Sequence, residues 1–378
     1  VLYNLGIILG IIFLSPVMGI YGPTFGVVLG TFLHFIIQLP LAYRLGLKYH
    51  LTFDFRHSQV REIGRLMLPR TIGLAVAQID YTVDIVLASL ISTSALVYFS
   101  FAQHLQLLPV GLFGATIAQA ALPTLSEEGV KRNLTDFRKT FLLCFHQILF
   151  LVLPFSVLLI ILRIPTVRLV FGAARFDWQA TVLTGRVLAC FSLSLFAQSL
   201  VHLLARAFYA LHDSKTPVII GAISVITNVV ISIYFILGLE LPIWGLGLST
   251  SIANILNACL LLIWLDKKVG KFNRRQLLIP TFKIFLVSFL TAFALYFPMK
   301  LFDQLIFDTT KVFDLLLLTG TTALFGFCVY LFLSWLFKIK TLKSFLELLA
   351  KIEVLQKTLR GRTLEPIEVI NESTEFHS

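Results

Sequence analysis

The sequence predicts an all-α polytopic membrane protein of about ten transmembrane helices. Three observations carry that reading. Of 378 residues, 57% are hydrophobic and 13% charged, and the mean hydropathy of +0.89 is far above what a water-soluble domain sustains. Apolar runs near the ~20 residues needed to cross a hydrocarbon core of ~30 Å recur along nearly the whole chain. Within these runs hydrophobicity is continuous, whereas the strands of a membrane barrel would alternate over about 10 residues, so helices remain.

In chain order the runs occupy residues 2–15, 20–43, 68–91, 95–123, 139–162, 180–209, 217–238, 243–265, 278–299 and 312–337. The even number puts both ends on one side. Arg44, Lys48, Arg56, Arg61 and Arg65 share that side with Lys131, Arg132, Arg138 and Lys139, with Lys215, and with Lys267, Lys268, Lys271, Arg274 and Arg275. The opposite connections are poorer: none around Ile91 to Ser94, Glu240 alone, and Lys300, Asp303, Asp308 and Lys311 nearly cancelling. The positive-inside bias therefore predicts cytoplasmic termini. The connection with Arg163, Arg168 and Arg175 is the discordant one. The net charge of +11 would suggest nucleic acid in a soluble protein, but here the cations cluster between apolar runs and read as topology signals and anionic-lipid contacts. Cys144, Cys190, Cys259 and Cys328 each stand alone in an apolar run, which argues against disulfides and metal sites. Val1 leads directly into the first run, with no initiator methionine or basic leader, and the expectation is a fragment lacking its true N-terminus.

Residues 45–67 are longer and more charged than the other connections, and Val60, Ile63 and Met67 recur at helical spacing, which predicts a short interfacial helix. After the last run, Ile339, Leu342, Phe345, Leu349 and Ile352 form an apolar stripe opposite Lys340, Lys343, Lys351 and Lys357, expected to lie on the cytoplasmic leaflet. The acidic stretch from Glu365 to Ser378 lacks periodicity and reads as disordered.

An ionisable group at the centre of a span costs about 2.5–3.5 kcal/mol on insertion scales and needs a reason to be there. In the third span Gly73, Ala77, Asp80, Asp84 and Ala88 share one helical face, which predicts two carboxylates lining a cavity. They read either as a cation or proton site or as structural partners of an arginine such as Arg70 or Arg206. Further polar stripes join Gln198, His202 and Arg206 in the sixth span, Ser224, Asn228 and Ser232 in the seventh, and Thr250, Asn254 and Asn257 in the eighth. Interhelical hydrogen bonding accounts for a single amide, and several converging stripes suggest a hydrated cavity for a polar headgroup. In the fourth span Gln103, His104 and Gln106 precede Pro109, Gly111 and Gly114, a bend beside a polar cluster that fits an alternating-access helix. His104 equally reads as a packed neutral histidine. There is no GxSxG elbow, P-loop or HExxH, so no constellation supports an enzyme.

The strings LYNLGIILG, YGPTFGVVLG, LMLPRTIGLAVAQIDYTVDIVLASLI, LPVGLFGATIAQAALPTLS, RAFYALHDSKTPV and GLGLSTSIANILNACLL resemble the MurJ/MviN lipid II flippases of the multidrug/oligosaccharidyl-lipid/polysaccharide exporter superfamily, from Leu2 to about Leu265. The resemblance implies a two-lobe bundle of fourteen spans around a cavity, of which this chain lacks the first four helices. It implies residues 1–44 as the end of the first lobe, 45–67 as a linker, 68–265 as the second lobe, 266–337 as two helices forming a groove for the polyprenyl tail, and 338–378 as a cytoplasmic extension. The expected substrate-binding residues are His104 and Gln103, on this resemblance, together with Arg70 and Arg206. Where the family usually reads Ala-Asp-Arg-Leu, this chain reads Ala102-Gln103-His104-Leu105, so an imidazole stands in for a guanidinium. A sodium site is implied at Asp84, Asn228 and Thr250, with Ser232 where a second carboxylate is expected. No cofactor is implied beyond a coupling ion, sodium or a proton. The implied function is flipping of lipid II across the bacterial cytoplasmic membrane by alternating access, with lipid II, membrane lipids and the cell-wall synthesis machinery as partners and no nucleic acid. The alternatives are an exporter of another polyprenyl-linked glycan and a non-transporting scaffold for cell-wall synthesis.

Overall fold

The computed structural model describes residues 2–46, 58–131, 133–172, 177–305, 312–343 and 345–346, and these are helices joined by short turns, with no strand among them. In chain order the helices are α1 (Leu2–Met18), α2 (Tyr21–Ile36), α3 (Leu39–Arg44), α4 (Ser58–Ile91), α5 (Thr93–Val130), α6 (Leu134–Ile161), α7 (Arg163–Phe171), α8 (Trp178–Ser192), α9 (Leu195–Ala210), α10 (Lys215–Gly238), α11 (Trp244–Lys268), α12 (Arg274–Leu305) and α13 (Val312–Leu336). Among the described residues seven helices are long and apolar enough to cross a membrane, and eight if α8 and α9, bent by 45° at their junction, form one span. The remaining two predicted spans are α1, which is shorter, and α4, whose apolar half carries Asp80 and Asp84.

Local chemistry sets the helix starts. Ser92 takes an extended backbone between α4 and α5, and its hydroxyl accepts from Ala95 N at 3.0 Å. Asn133 caps α6 by accepting from Asp136 N, and the Asp177 carboxylate receives Trp178 N at 2.7 Å ahead of α8. These are the residue types whose short polar side chains satisfy amide groups that a first helical turn leaves free.

The chain divides into two compact units, Val1–Met67 and Leu68–Ser378. In the first, α1 and α2 pack backbone to backbone: a Cβ added at Gly26 would lie 2.6 Å from the Gly6 carbonyl oxygen. Only glycine allows that approach, the mode by which membrane helices gain dispersion contacts where lipid offers no hydrophobic drive. Helix α4 begins inside the segment read as a linker, whose residues 47–57 lie outside those described.

In the second unit α6 is the most enclosed helix. Its most apolar stretch is 61% buried, against 28–39% for the other candidate spans of that unit, so neighbours rather than lipid surround it. Phe137, Phe141, Phe145, Ile148 and Leu149 are buried in the main core, and α6 packs on α5, α9 and α12. Tyr330 of α13 donates its hydroxyl to the Phe150 carbonyl at 2.8 Å, closing the polar end of a buried ring. A second core forms where Phe99 of α5 meets Phe191 of α8 edge to face.

Two expectations about the connections change. The discordant basic segment is partly helix α7: Arg163 donates to the Ile160 carbonyl and Arg168 lies over the Trp178 ring, while Arg175 falls outside the described residues. The apolar stripe after α13 does not face outward over its described part. Ile339 and Leu342 are buried in the main core, and the Phe345 ring lies 6.1 Å from that of Phe150. An amphipathic pattern specifies an apolar partner without saying whether it is lipid or protein. Residues 347–378, including Leu349, Ile352 and the acidic tail, lie outside the described residues.

Candidate functional site: a carboxylate pair and its amide partner

Asp80 and Asp84 stand one turn apart on α4, and Asn228 and Ser232 one turn apart on α10, so the two pairs can face each other. The Asn228 amide donates to Asp80 Oδ1 at 2.8 Å and lies 3.5 Å from both oxygens of Asp84. The last two distances are at the limit of hydrogen bonding, so the amide belongs mainly to Asp80. Asn228 Oδ1 faces the Ser232 hydroxyl at 3.4 Å, and Ser232 shares a 2.6 Å hydrogen bond with Ser249 of α11, which itself donates to Leu246 O. Asp84, Asn228, Ser232 and Ser249 are all at most 3% exposed. Neither carboxylate has an ion-pair partner among the described residues.

The other expected residues distribute differently. Asp84 and Asn228 come together, but the Thr250 hydroxyl donates to Leu246 O of its own helix. The α11 hydroxyl in the network is Ser249, which sequence reasoning passed over. Gly245, Ser249 and Ala253 recur at four-residue intervals and are all buried, a small-residue pattern that could have pointed to this face. It is tied again to α10 where Ser224 donates to Ala253 O at 2.8 Å.

Arg206, half-buried on α9, donates to the Ala115 carbonyl of α5 at 2.9 Å. Ala115 ends a π-helical segment, Val110–Ala115, that follows Pro109. The wider turns of such a segment loosen the regular backbone ladder, so a carbonyl there can take an outside partner. Arg206 supplies one and keeps further N–H groups for other ligands. His104 is exposed on α5, its Nδ1 2.6 Å from Ser100 O, and Gln103 beside it is half-buried. No hydrogen bond joins Gln103, His104 and Arg206 to one another among the described residues. The Arg70 side chain lies outside those described. No group of three or more His, Cys, Asp or Glu suited to a metal ion occurs among the described residues.

Fold and site define a multi-pass helical membrane protein that encloses Asp84 in its bundle, with Asp80 half-buried beside it. The family model described as lipid II flippase MurJ matches residues 1–316, and the chain belongs to that family. It is 30% identical over 287 residues to the probable lipid II flippase MurJ of Haemophilus influenzae, covering 73% of this chain and 55% of that protein. To the protein of the same description from Borreliella burgdorferi it is 26% identical over 310 residues, covering 82% and 60%. A solved structure described as lipid II flippase MurJ in an inward closed conformation superimposes with a TM-score of 0.69 at 27% identity, covering 89% of this chain and 66% of that one. The chain thus spans a little over half the length of these curated relatives.

Proposed function

We propose that this chain takes part in flipping the lipid-linked peptidoglycan precursor, lipid II, from the cytoplasmic to the outer leaflet of a bacterial inner membrane, with both described ends cytoplasmic. The observation that carries this reading is the family match from residue 1 to 316, which embraces both carboxylates and their partners. Flipping makes and breaks no bond. The work is to admit a polar headgroup on one side, reorient the helices around it, and release it on the other while the polyprenyl tail stays in lipid. The π-helical segment after Pro109 is a natural place for α5 to bend, and Arg206 is positioned to follow its carbonyls.

In this reading the buried acids couple the cycle to an ion. Two carboxylates bridged by one amide and flanked by two hydroxyls offer several hard oxygen donors, and the excess negative charge favours sodium or a proton as the transported partner. The same family assignment makes the cell-wall synthesis machinery the expected neighbour, and the transporter reading is preferred to an enzymatic one.

The test is translocation of lipid II in proteoliposomes containing the chain as encoded, read as the fraction accessible to an externally added lipid II-consuming enzyme. The expected result is accessibility rising well above that of protein-free vesicles. A rise equal to that of empty vesicles, with correctly inserted protein, would leave the chain a non-transporting membrane protein.

A further inference from the structure

A second site lies away from the carboxylates, where α6, the start of α12 and the end of α13 meet. There a cavity of about 570 Å³ is ringed by Lys139, Arg275, Lys283, Lys338 and Lys340, and no acidic residue lines it among the described residues. Lys139 is paired to Asp136 and Lys283 donates to the Phe337 carbonyl, whereas Arg275, Lys338 and Lys340 have no ion-pair partner among the described residues. Like charges gathered round one space repel, and an anion placed among them removes that cost.

The cavity does not stand alone. Ile279 and Lys283 also line an apolar slot of about 720 Å³, walled by Phe282, Phe285 and Leu286 along α12. A cationic cavity that shares lining residues with an apolar slot along a membrane helix has the polarity of an amphiphile, charge at one end and hydrocarbon at the other. Apart from Lys283, which lies within the span 278–299, its cations come from segments on the side assigned to the cytoplasm by the positive-inside pattern.

The backbone adds an independent observation. Ile339 N bonds to Ser334 O and Lys338 N to Trp335 O, the paired closing bonds of a Schellman cap, with Lys338 at its left-handed position, φ 51°. That position favours glycine, because a Cβ there crowds the backbone. Lys338 thus brings a charge to the cavity from a backbone position that favours glycine, so the charge can be removed there without straining the fold.

We propose that this cavity and slot hold an anionic glycerophospholipid of the cytoplasmic leaflet, phosphate among Arg275, Lys338 and Lys340 and one acyl chain along α12. Basic recesses between membrane helices on that side recognise such headgroups, each nearby cation contributing about a five-fold gain in affinity. The proposal does not depend on the chain flipping lipid II, and its test involves no flipping.

Native mass spectrometry of the detergent-purified chain, titrated with phosphatidylglycerol and with phosphatidylcholine, reads the site directly. Wild type is expected to retain phosphatidylglycerol in preference to phosphatidylcholine, and millimolar inorganic phosphate should not displace it. Lys338→Gly should weaken retention about five-fold, while its unfolding midpoint in phosphatidylcholine micelles stays equal or rises because the cap strain is relieved. Combining it with Arg275→Gln and Lys340→Gln should deepen the loss. A charge-matched control, Lys215→Gln with Lys267→Gln and Lys271→Gly, removes three cations elsewhere, one also at positive φ, and should leave retention within two-fold. Equal retention of the two lipids, equal losses in both triple variants, unchanged retention in Lys338→Gly, or displacement by phosphate alone would overturn the proposal.

Discussion

Asn228 on α10 hands its amide hydrogen to Asp80 on α4 at 2.8 Å, and Asp84 one turn further along the same helix reaches only the edge of that amide. One neutral donor thus serves two carboxylates, Asp84 buried and Asp80 half-buried. Replacing it by alanine leaves buried acceptors without their partner, a loss of about 1–3 kcal/mol. Chemical unfolding of Asn228→Ala in detergent should show a decrease of that size, and an unchanged midpoint would mean that the amide bridge contributes nothing to the packing of α10 on α4.

Arg206 makes a different kind of contact. Its guanidinium meets the Ala115 carbonyl where the helix widens after Pro109. Hydrogen bonds to charged donors are worth about 1.5–3 kcal/mol, so Arg206→Ala should lower stability by an amount in that range without any substrate present. A residue serving the substrate alone would leave the unfolding transition of the lipid-free protein where it was.

Gly114, in the same π-helical segment, faces Ser199 of α9, and a Cβ built on it would lie 2.7 Å from the serine Cβ. Gly114→Ala should cost about 1–3 kcal/mol by overpacking. Ser199→Ala keeps the Cβ and should rescue nothing, and Ser199→Gly should recover only part of the loss, because the Ser199 Cα would still lie 2.8 Å from the added carbon. A double-mutant cycle on thermal stability separates the two outcomes.

Asp213, in the turn before α10, receives Thr216 N at 3.0 Å and the Thr216 hydroxyl at 2.7 Å, and pairs with Lys268 at the end of α11. Partial burial disfavours its charge, but the lysine and the two threonine donors outweigh that and hold the carboxyl at about 2, below its ordinary 3.8. A folded-state value below the unfolded one stabilises the protein above the unfolded value and is lost as pH falls through the folded one. The contribution should fade between about pH 4 and pH 2 in wild type. In Asp213→Asn that portion of the pH dependence should vanish, as followed by unfolding in detergent across the range.

The helical class and the order of the apolar runs were legible because membrane-spanning helices carry their signal locally, in length and hydropathy. Asp84 and Asn228 were legible for a related reason: ionisable and amide groups within apolar runs stand out, and the four-residue spacing of Ser224, Asn228 and Ser232 reveals a shared face. Thr250 and Ser249 show where that logic runs out. They are adjacent in sequence and about 100° apart around the helix, and only packing against α10 selects the serine. Likewise, nothing local distinguishes a lipid-facing stripe from one that docks on protein, as Ile339 and Leu342 do. The role of Arg206 at Ala115 depends on a helix 91 residues away and on a π-helical segment that the sequence marks only with a proline and two glycines.

If Asp84 is the coupling group of the proposed lipid II flipping, the most direct measurement is lipid II translocation in proteoliposomes by wild type and Asp84→Asn across sodium and pH gradients. Asparagine keeps the shape and removes the ionisable oxygen. The predicted result is gradient-dependent translocation in wild type and, in the variant, a much slower rate that no longer responds to either gradient. A variant that translocates lipid II at the wild-type rate with the same ion dependence would contradict it.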